Sequence, residues 1–161
     1  MPIDDCHRSF EELAHEVLPE LMGKLRVRMR TPIPLATFGK KGVGPATLLK
    51  MLSLDSDPSG CYVLLDAGTA KYVGISKHVI QRLLEHVRGT DHFSATLAYR
   101  IAAAQHPHHF KTSAEAMNDP TFHAGFAAVK ASLLNWSVAF IEIKNPLELY
   151  LFEAYCAMEL D

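Results

Sequence analysis

One continuous stretch, from Gly60 to Gly89, constrains the fold more than any other part of this sequence. It contains two β-prone runs, Cys61–Leu65 and Lys71–Ile75, separated by the five-residue loop Asp-Ala-Gly-Thr-Ala, whose glycine suits a positive φ. The pattern predicts an antiparallel hairpin with these pairs: Leu65 with Lys71, Leu64 with Tyr72 and Tyr62 with Gly74. Because side chains alternate between the two faces of a strand, this register places Tyr62 and Tyr72 on one face as diagonal neighbours. A shift of one residue would separate them.

A helix with a polar stripe is predicted directly after the hairpin. Ser76 is the expected N-cap of this helix. The apolar residues that follow recur at helical spacing and form a buried stripe: Ile80, Leu83, Leu84 and Val87. His78, Arg82 and His86 recur every four residues, so they lie along one side of the helix. Two phenolic hydroxyls, a guanidinium and an imidazole are therefore expected to converge near the end of the hairpin.

This arrangement resembles the GIY-YIG nuclease family. The first family motif corresponds to Gly60-Cys61-Tyr62 and the second to Tyr72-Val73-Gly74, with the two tyrosines ten positions apart. The family arginine, eight residues after the glycine of the second motif, falls on Arg82, and a histidine that some members carry one turn later falls on His86. Cys61 and Val73 replace the usual isoleucines, at positions that we expect only to pack. The resemblance implies catalytic roles for Tyr62, Tyr72, Arg82 and His86.

A late strand and helix carry one further candidate. Trp136–Ile143 has apolar residues on both faces, which is typical of a central strand covered by helices. Asn145-Pro146-Leu147-Glu148 has the signature of a helix start. The helix from Leu147 to Leu160 is apolar almost all round, with Glu153 in its middle. An ionised carboxylate that leaves water costs several kcal/mol unless it is paired or bound to a cation.

The resemblance gives Glu153 a role, because the family places its metal-binding glutamate on a helix after the third strand. Glu153 is then expected to be both a catalytic residue and the ligand of one Mg²⁺ or Mn²⁺ ion. The alternative is a surface ion pair with an arginine or a lysine. Family members often have an asparagine further along the chain, beyond the point where this sequence stops at Asp161, so we expect the domain to be clipped.

The expected fold class is α/β (α+β), with a small three-stranded, mainly antiparallel sheet flanked by helices. We expect a GIY-YIG-like domain at residues 58–161. Residues 90–135 exceed what a minimal domain of this kind needs and are expected to be a helical insertion. Residues 1–57 lie outside the resemblance and are expected to form a helical and basic N-terminal extension.

The N-terminal segment changes charge sharply along its length. Residues 1–23 hold one cation and six anions, whereas residues 24–50 hold seven cations and no anion. A local positive surface can bind phosphates although the net charge of the whole chain is −2. A solvated basic face is the other interpretation, and both stay open. Ser9 and Glu12 predict a capping box at the first helix, while the alternation in Leu25–Arg30 leaves a strand open as an alternative to helix.

The composition limits the class of protein and the cellular compartment that can be expected. With 161 residues, 48% hydrophobic and 21% charged, the chain suits one ordinary domain and not a disordered protein. No apolar run approaches the ~20 residues that span a bilayer, so no membrane partner is expected. The N-terminus is acidic and lacks the apolar centre of a signal peptide. Cys6, Cys61 and Cys156 are widely spaced and form no CxxC pair, which is typical of reduced thiols in a cytoplasmic protein.

Two other ligand sites are disfavoured by the sequence. Phe38–Gly44 has the composition of a mobile cationic loop, but it lacks the GxxxxGK[ST] order of a phosphate-binding P-loop. Four histidines lie between His92 and His109, but Pro107 interrupts the helix and no paired carboxylate or zinc-finger spacing accompanies them. Structural or surface histidines are therefore the favoured interpretation.

Together with these features, the resemblance to GIY-YIG nucleases implies a metal-dependent endonuclease that hydrolyses DNA phosphodiester bonds. Arg82 would bind a non-bridging phosphate oxygen, and Glu153 would hold the ion. Tyr72, or Tyr62 through a hydrogen bond, would orient or deprotonate the attacking water. His86 would share the proton transfer, since an imidazole suits neutral pH better than a phenol. The alternatives are a catalytically inactive nucleic-acid-binding module of the same fold and a structural domain. The preferred DNA structure, and the choice between DNA and RNA, stay open.

Overall fold

A four-stranded antiparallel sheet forms the centre of the protein. The computed structural model describes residues 5–107 and 110–161, and within these ranges the strands are β1 (Ile33–Pro34), β2 (Gly60–Asp66), β3 (Thr69–Ser76) and β4 (Ser137–Glu142). Their order across the sheet is β1-β4-β2-β3, and each neighbouring pair is antiparallel. β2 is therefore a central strand, and β3 is an edge strand. The mixed α/β architecture agrees with the predicted fold class.

The prediction of three strands is wrong, because the short strand β1 adds to the outer side of β4. Ile33 pairs with Val138 and Pro34 with Ser137. The N–H of Leu35 continues the pairing by donating to the Trp136 carbonyl at 2.9 Å. Pro34 lacks an N–H, and at a sheet edge that donor is not needed. So short a segment beside prolines gives no alternating pattern that would predict a strand.

The β2–β3 hairpin has the predicted register at its open end and a different one near its turn. Two predicted pairs are confirmed, namely Tyr62 with Gly74 and Leu64 with Tyr72. A β-bulge follows Leu64, so that Leu65 pairs with Ala70 and the predicted pair with Lys71 is wrong. The tyrosine face of the hairpin is unaffected, because the bulge lies beyond both tyrosines.

The turn of the hairpin is shorter than predicted. Both strands extend into the expected five-residue loop, which leaves only Ala67 and Gly68 between Asp66 and Thr69. The φ angles of these two residues are 48° and 83°. Two positive φ values define the tight turn whose twist matches that of the flanking strands. An alanine in the first position hides this turn from the sequence, since glycine or asparagine is the usual signal.

Helices cover both faces of the sheet. In the described part of the chain they are α1 (Phe10–Glu12), α2 (Leu18–Met29), α3 (Ala36–Gly39), α4 (Pro45–Met51), α5 (Val79–Arg88), α6 (Thr96–Gln105), α7 (Ser113–Asn118), α8 (Pro120–Leu133) and α9 (Pro146–Leu160). The predicted start of α9 is confirmed, because Asn145 Oδ1 accepts from the N–H groups of Leu147 and Glu148. No helix among the described residues combines the length and apolarity that crossing a membrane would require.

The N-terminal helix changes its winding once. Its predicted capping box is present: Ser9 Oγ accepts from the N–H of Glu12 at 3.2 Å, and Glu12 Oε2 accepts from the N–H of Ser9 at 2.6 Å. A π-helical turn, Leu13–Val17, then joins α1 to α2. Pro19 lies in the first turn of α2, where a residue without an N–H is tolerated. The change from π- to α-helical hydrogen bonding therefore occurs just before this proline.

The two faces of the sheet bury separate sets of side chains. On one face, Tyr62 and Leu64 of β2 pack with residues of α3 to α8. On the other face, Cys61, Val63 and Leu65 pack with residues of α2 and α9. This division follows from the two-residue period of a strand.

Residues that precede Gly60 belong to these same cores. Leu25 of α2 is buried with α9, while Phe38 of α3 and Leu48 of α4 are buried with α5. The predicted domain boundary between residues 57 and 58 therefore does not separate two hydrophobic cores. α2 continues through Met29, so the strand alternative for this part of the chain is wrong.

The predicted insertion, residues 90–135, is largely helical, but its helices begin elsewhere than predicted. The sequence predicts helices over Phe93–Gln105 and Ala124–Leu134, with a loop and a short turn over Thr112–Phe122, whereas α6 begins at Thr96 and α8 at Pro120. α8 begins earlier because Asp119 caps it, accepting from the N–H of Phe122 at 2.8 Å, with Pro120 at the first helical position. This cap, together with α7, replaces a predicted loop.

Candidate functional site

Tyr62 and Tyr72 lie on the same face of the hairpin, as predicted. Their ring centroids are 6.1 Å apart, and their planes are inclined by 42°. Gly74 provides the space that the rings occupy, because a Cβ at this position would lie 2.6 Å from the Tyr62 hydroxyl and 2.8 Å from a Tyr72 ring carbon. The glycine of the second motif is thus required by the tyrosine packing.

His86 joins this aromatic pair from α5. Its Nε2 is 2.7 Å from the Tyr62 hydroxyl, and its ring centroid is 6.0 Å from that of Tyr72. The imidazole is 1% exposed, and among the described residues its Nδ1 has no hydrogen-bond partner. Burial, and to a lesser extent the Arg82 charge, lowers the pKa of His86 to about 3. The ring is therefore neutral at pH 7, which the sequence does not predict.

The two phenols have different surroundings. Tyr62 is 1% exposed, and burial raises its pKa; the neighbouring Tyr72 adds to this effect, and the Arg82 charge opposes it. A phenol of raised pKa, hydrogen-bonded to a buried neutral imidazole, is a poor base at neutral pH. Tyr72 lies on the edge strand and is only half-buried, so it is the more accessible phenol.

The Arg82 guanidinium is held by three acceptors. Nη1 donates to Glu85 at 3.0 Å and to the Ser94 carbonyl at 3.2 Å, and Nη2 donates to Thr96 Oγ1 at 2.5 Å. Burial acts to lower the pKa of Arg82, but the hydrogen bond to Glu85 and the nearby Tyr62 hydroxyl raise it above its ordinary value. These bonds use three of the five N–H donors of a guanidinium and orient the group. Its partners come partly from the segment before α6, which the sequence did not connect with the site.

The first turn of α5 is capped by a residue that sequence reasoning missed. Asp57 Oδ1 accepts from the N–H of Ile80 at 2.7 Å, and Asp57 Oδ2 accepts from the N–H of Gln81 at 2.9 Å. The predicted N-cap, Ser76, is wrong: its hydroxyl bonds to the backbone of His78, which is itself the N-cap residue. Asp57 lies in the linker before β2, so no local capping pattern reveals it. This cap helps to set the direction in which α5 presents its side chains.

Glu153 is not brought together with the other four predicted site residues. It lies on α9, whose residues Phe152 and Cys156 pack on the face of the sheet opposite to Tyr62. The pKa of the Cys61 thiol, on that opposite face, is raised by a hydrogen bond with Cys156, by burial and by the nearby Glu153 carboxylate. Glu153 itself is half-buried, and burial raises its pKa. Within the described ranges it forms no hydrogen bond, and the alternative of an ion pair is not observed there.

A metal role for Glu153 rests on this one carboxylate. Within residues 5–107 and 110–161 there is no group of three or more His, Cys, Asp or Glu side chains that could hold a metal ion. Mg²⁺ commonly keeps several waters and binds one or two carboxylates together with substrate phosphates. A half-buried carboxylate without a protein partner in the described ranges fits that pattern. One Mg²⁺ or Mn²⁺ ion at Glu153 therefore stays a prediction.

The histidines on either side of α6 serve packing where the structure describes them. The ring of His92 packs against that of Phe93, with centroids 3.9 Å apart and planes inclined by 38°. The ring of His106 lies against Gly125 of α8, where a Cβ would be 2.6 Å from it. The metal alternative also involves His108 and His109, which lie outside the described residues.

The basic N-terminal segments are partly neutralised. On α2, Lys24 pairs with Glu20 at 2.7 Å, and Arg26 pairs with Glu159 of α9 at 2.9 Å. Both pairs are exposed, which favours the interpretation of a solvated face over a phosphate-binding one. Surface pairs of this kind contribute little stability.

The glycine-lysine loop between α3 and α4 is anchored, although a mobile loop was predicted. Arg88 Nε donates to the Phe38 carbonyl at 2.8 Å, and Arg88 Nη2 donates to the carbonyls of Lys40 at 3.1 Å and Val43 at 2.5 Å. The loop is therefore tied to the C-terminal end of α5.

Comparisons with protein-family models, curated proteins and solved structures find no match to this chain. The fold and the site thus define only a class, an α/β protein whose antiparallel sheet carries a cluster of two tyrosines, a histidine and an arginine. The resemblance to GIY-YIG nucleases stays a prediction from the two motifs and the residues that follow them.

Proposed function

We propose that this chain is a metal-dependent endonuclease of the GIY-YIG type that hydrolyses DNA phosphodiester bonds in the cytoplasm. The observation that carries the proposal is the cluster of Tyr62, Tyr72, His86 and Arg82, formed by the residues to which the resemblance gives catalytic roles. Packing alone does not account for this cluster. An apolar residue in place of His86 would fill the core without a buried, unpartnered nitrogen.

Tyr72 and Arg82 are the residues that we assign to the substrate. Tyr72 is the accessible phenol, so it is the one that can orient or deprotonate an attacking water. Arg82 would bind a non-bridging phosphate oxygen with its remaining N–H donors, a geometry that a guanidinium serves better than an ammonium. Tyr62 and His86 are assigned a positioning role, because both are buried and neutral.

The position of Glu153 restricts where a phosphate can bind. β3 is an edge strand, and α9 packs against it on the face opposite to α5. A phosphodiester that crosses this edge could approach Tyr72 and Arg82 from one face and Glu153 from the other. Bound at Glu153, Mg²⁺ or Mn²⁺ would neutralise charge on the phosphate and the departing 3′ oxygen.

A catalytically inactive nucleic-acid-binding module is the second candidate. Two observations favour it: Glu153 lies on the other face of the sheet, and Arg82 is already paired with Glu85. Such a module would bind nucleic acid through the same cluster without cutting it.

Cleavage of supercoiled plasmid DNA in Mg²⁺ or Mn²⁺ distinguishes the two candidates. We expect nicking by the wild-type chain, and a loss of about 100-fold or more in both Arg82→Ala and Glu153→Gln. The first removes a positive charge that would stabilise the transition state, and the second removes the carboxylate that would hold the metal ion. Glu159→Gln is the matched control, because it makes the same change on the same helix but only breaks a surface pair with Arg26. RNA of the same sequence tests the choice of substrate.

Two outcomes test the residue roles, and a third separates the candidates. Full activity in Glu153→Gln would remove the metal assignment, and full activity in Arg82→Ala would remove the phosphate assignment. DNA binding without cleavage in either metal would favour the binding module.

A further inference from the structure

A row of aromatic rings leads from the protein core to the surface beside Arg82. Successive ring centroids are 5.4 Å apart for Phe122 and Tyr99, 5.8 Å for Tyr99 and His92, and 3.9 Å for His92 and Phe93. Phe122 is 3% exposed, whereas Phe93 is 78% exposed. The exposed ring is therefore connected to the core through a series of tilted ring contacts.

The backbone that carries Phe93 is held on both sides. The Asp91 carboxylate accepts from the N–H of Phe93 at 2.9 Å and from the N–H of Ser94 at 2.8 Å. The carbonyl of Ser94 accepts from Arg82 at 3.2 Å. Phe93 is thus directly adjacent in sequence to a residue that binds the site arginine, and its conformation is set by the same contacts.

Phe10, another exposed phenylalanine, lacks this support. Phe10 is 71% exposed and Met158 is 81% exposed, and single residues of this kind are ordinary on protein surfaces. Among the described residues no ring packs against Phe10. What distinguishes Phe93 from Phe10 is that its ring contacts His92 and that the carbonyl of the next residue, Ser94, binds Arg82.

We propose that Phe93, backed by His92, is a stacking platform for an unpaired nucleobase of a DNA strand whose phosphate lies at Arg82; this inference rests on the proposed function. Every base has a π-face, and proteins that bind single strands combine aromatic platforms with positive charge along the backbone. A base within a duplex is already stacked and cannot use the platform. The protein therefore prefers single-stranded DNA, or a duplex with an unpaired base, over fully paired DNA.

Binding to a short single strand in EDTA, which prevents cleavage, tests the platform. The probe is an oligothymidylate that contains one 2-aminopurine, whose fluorescence is quenched by stacking. We expect Phe93→Ala to weaken binding about tenfold and to restore fluorescence, since stacking on one side chain contributes about five- to 150-fold in affinity. Phe93→Trp should retain the affinity and the quenching of the wild type. Phe10→Ala is the matched control for loss of an exposed phenylalanine and should bind like the wild type.

Different experimental results would refute the stacking platform and the proposed function. If wild type and Phe93→Ala bind the single strand equally while the wild type still cuts plasmid DNA, the platform is wrong and the nuclease proposal stands. If the wild type neither binds nor cuts any DNA, both are overturned. Equal weakening of single-stranded and duplex binding in Phe93→Ala would also refute the platform, because a general surface contact predicts that result. Thermal unfolding of each variant confirms that the fold is intact.

Discussion

Acidification should destabilise the fold through one buried residue, His86. In an unfolded chain an imidazole has its ordinary pKa, near 6.5, whereas burial lowers the pKa of His86 to about 3 in the folded protein. Between these two values the unfolded state binds more protons than the folded state. The contribution of His86 to stability is therefore complete above about pH 6.5 and is lost progressively as the pH falls toward 3.

The size of this effect follows from the two pKa values. At pH 5 nearly all unfolded chains carry the proton on His86 and almost no folded chains do, which costs about 2 kcal/mol relative to pH 7.5. The burial of the ring justifies using the whole shift, since the side chain is 1% exposed and unscreened by water. A loss of this size is a large part of the usual stability of a small domain.

Urea unfolding at pH 7.5 and pH 5.0 measures the effect. The free energy of unfolding should fall by about 2 kcal/mol more in the wild type than in His86→Gln, whose amide can still bond Tyr62 but does not titrate in this range. His78→Gln is the matched control, because it makes the same change at an exposed histidine at the start of the same helix. Equal pH dependence in the wild type and His86→Gln would show that His86 is not held neutral.

Three other substitutions test the contacts around the site. Gly74→Ala should lower stability by about 1–3 kcal/mol and alter the tyrosine near-UV signal, because its Cβ would overlap Tyr62; an unchanged spectrum would contradict the packing. Asp57→Ala should cost about 1 kcal/mol in urea unfolding through the lost cap of α5, and no change would refute that cap. Arg88→Ala should speed tryptic cleavage after Lys40, since it frees the loop carbonyls; an unchanged rate would show that the loop is held otherwise.

Local sequence patterns predicted the hairpin and the cluster because both depend on residues that recur at short, regular intervals along the chain. The alternation of strand residues set the pairs Tyr62 with Gly74 and Leu64 with Tyr72, and helical spacing placed Arg82 and His86 on one helix. The apolar stripe of α5 is buried as predicted. In these cases a few neighbouring residues determine the outcome.

The missed features depend on residues that are distant in sequence. Asp57 caps a helix that begins more than twenty positions later, and β1 pairs with a strand on the far side of the insertion. The bond from Arg82 to Thr96 likewise crosses from α5 to the start of α6. The local composition around Asp57, β1 and Thr96 does not indicate these contacts. The face on which α9 packs, and hence the place of Glu153, is set by the same long-range packing.

The ion pair of Arg82 with Glu85 bears on how a phosphate could enter the proposed site. The Glu85 side chain is 36% exposed and that of Arg82 is 22% exposed, so water weakens their attraction and the pair contributes little stability. The Ser94 carbonyl and the Thr96 hydroxyl hold the guanidinium independently of Glu85. An arriving phosphate can therefore displace the Glu85 carboxylate at small cost and meet a guanidinium that is still oriented. Glu85→Gln should then tighten DNA binding, whereas weaker binding would mean that Glu85 is needed to place Arg82.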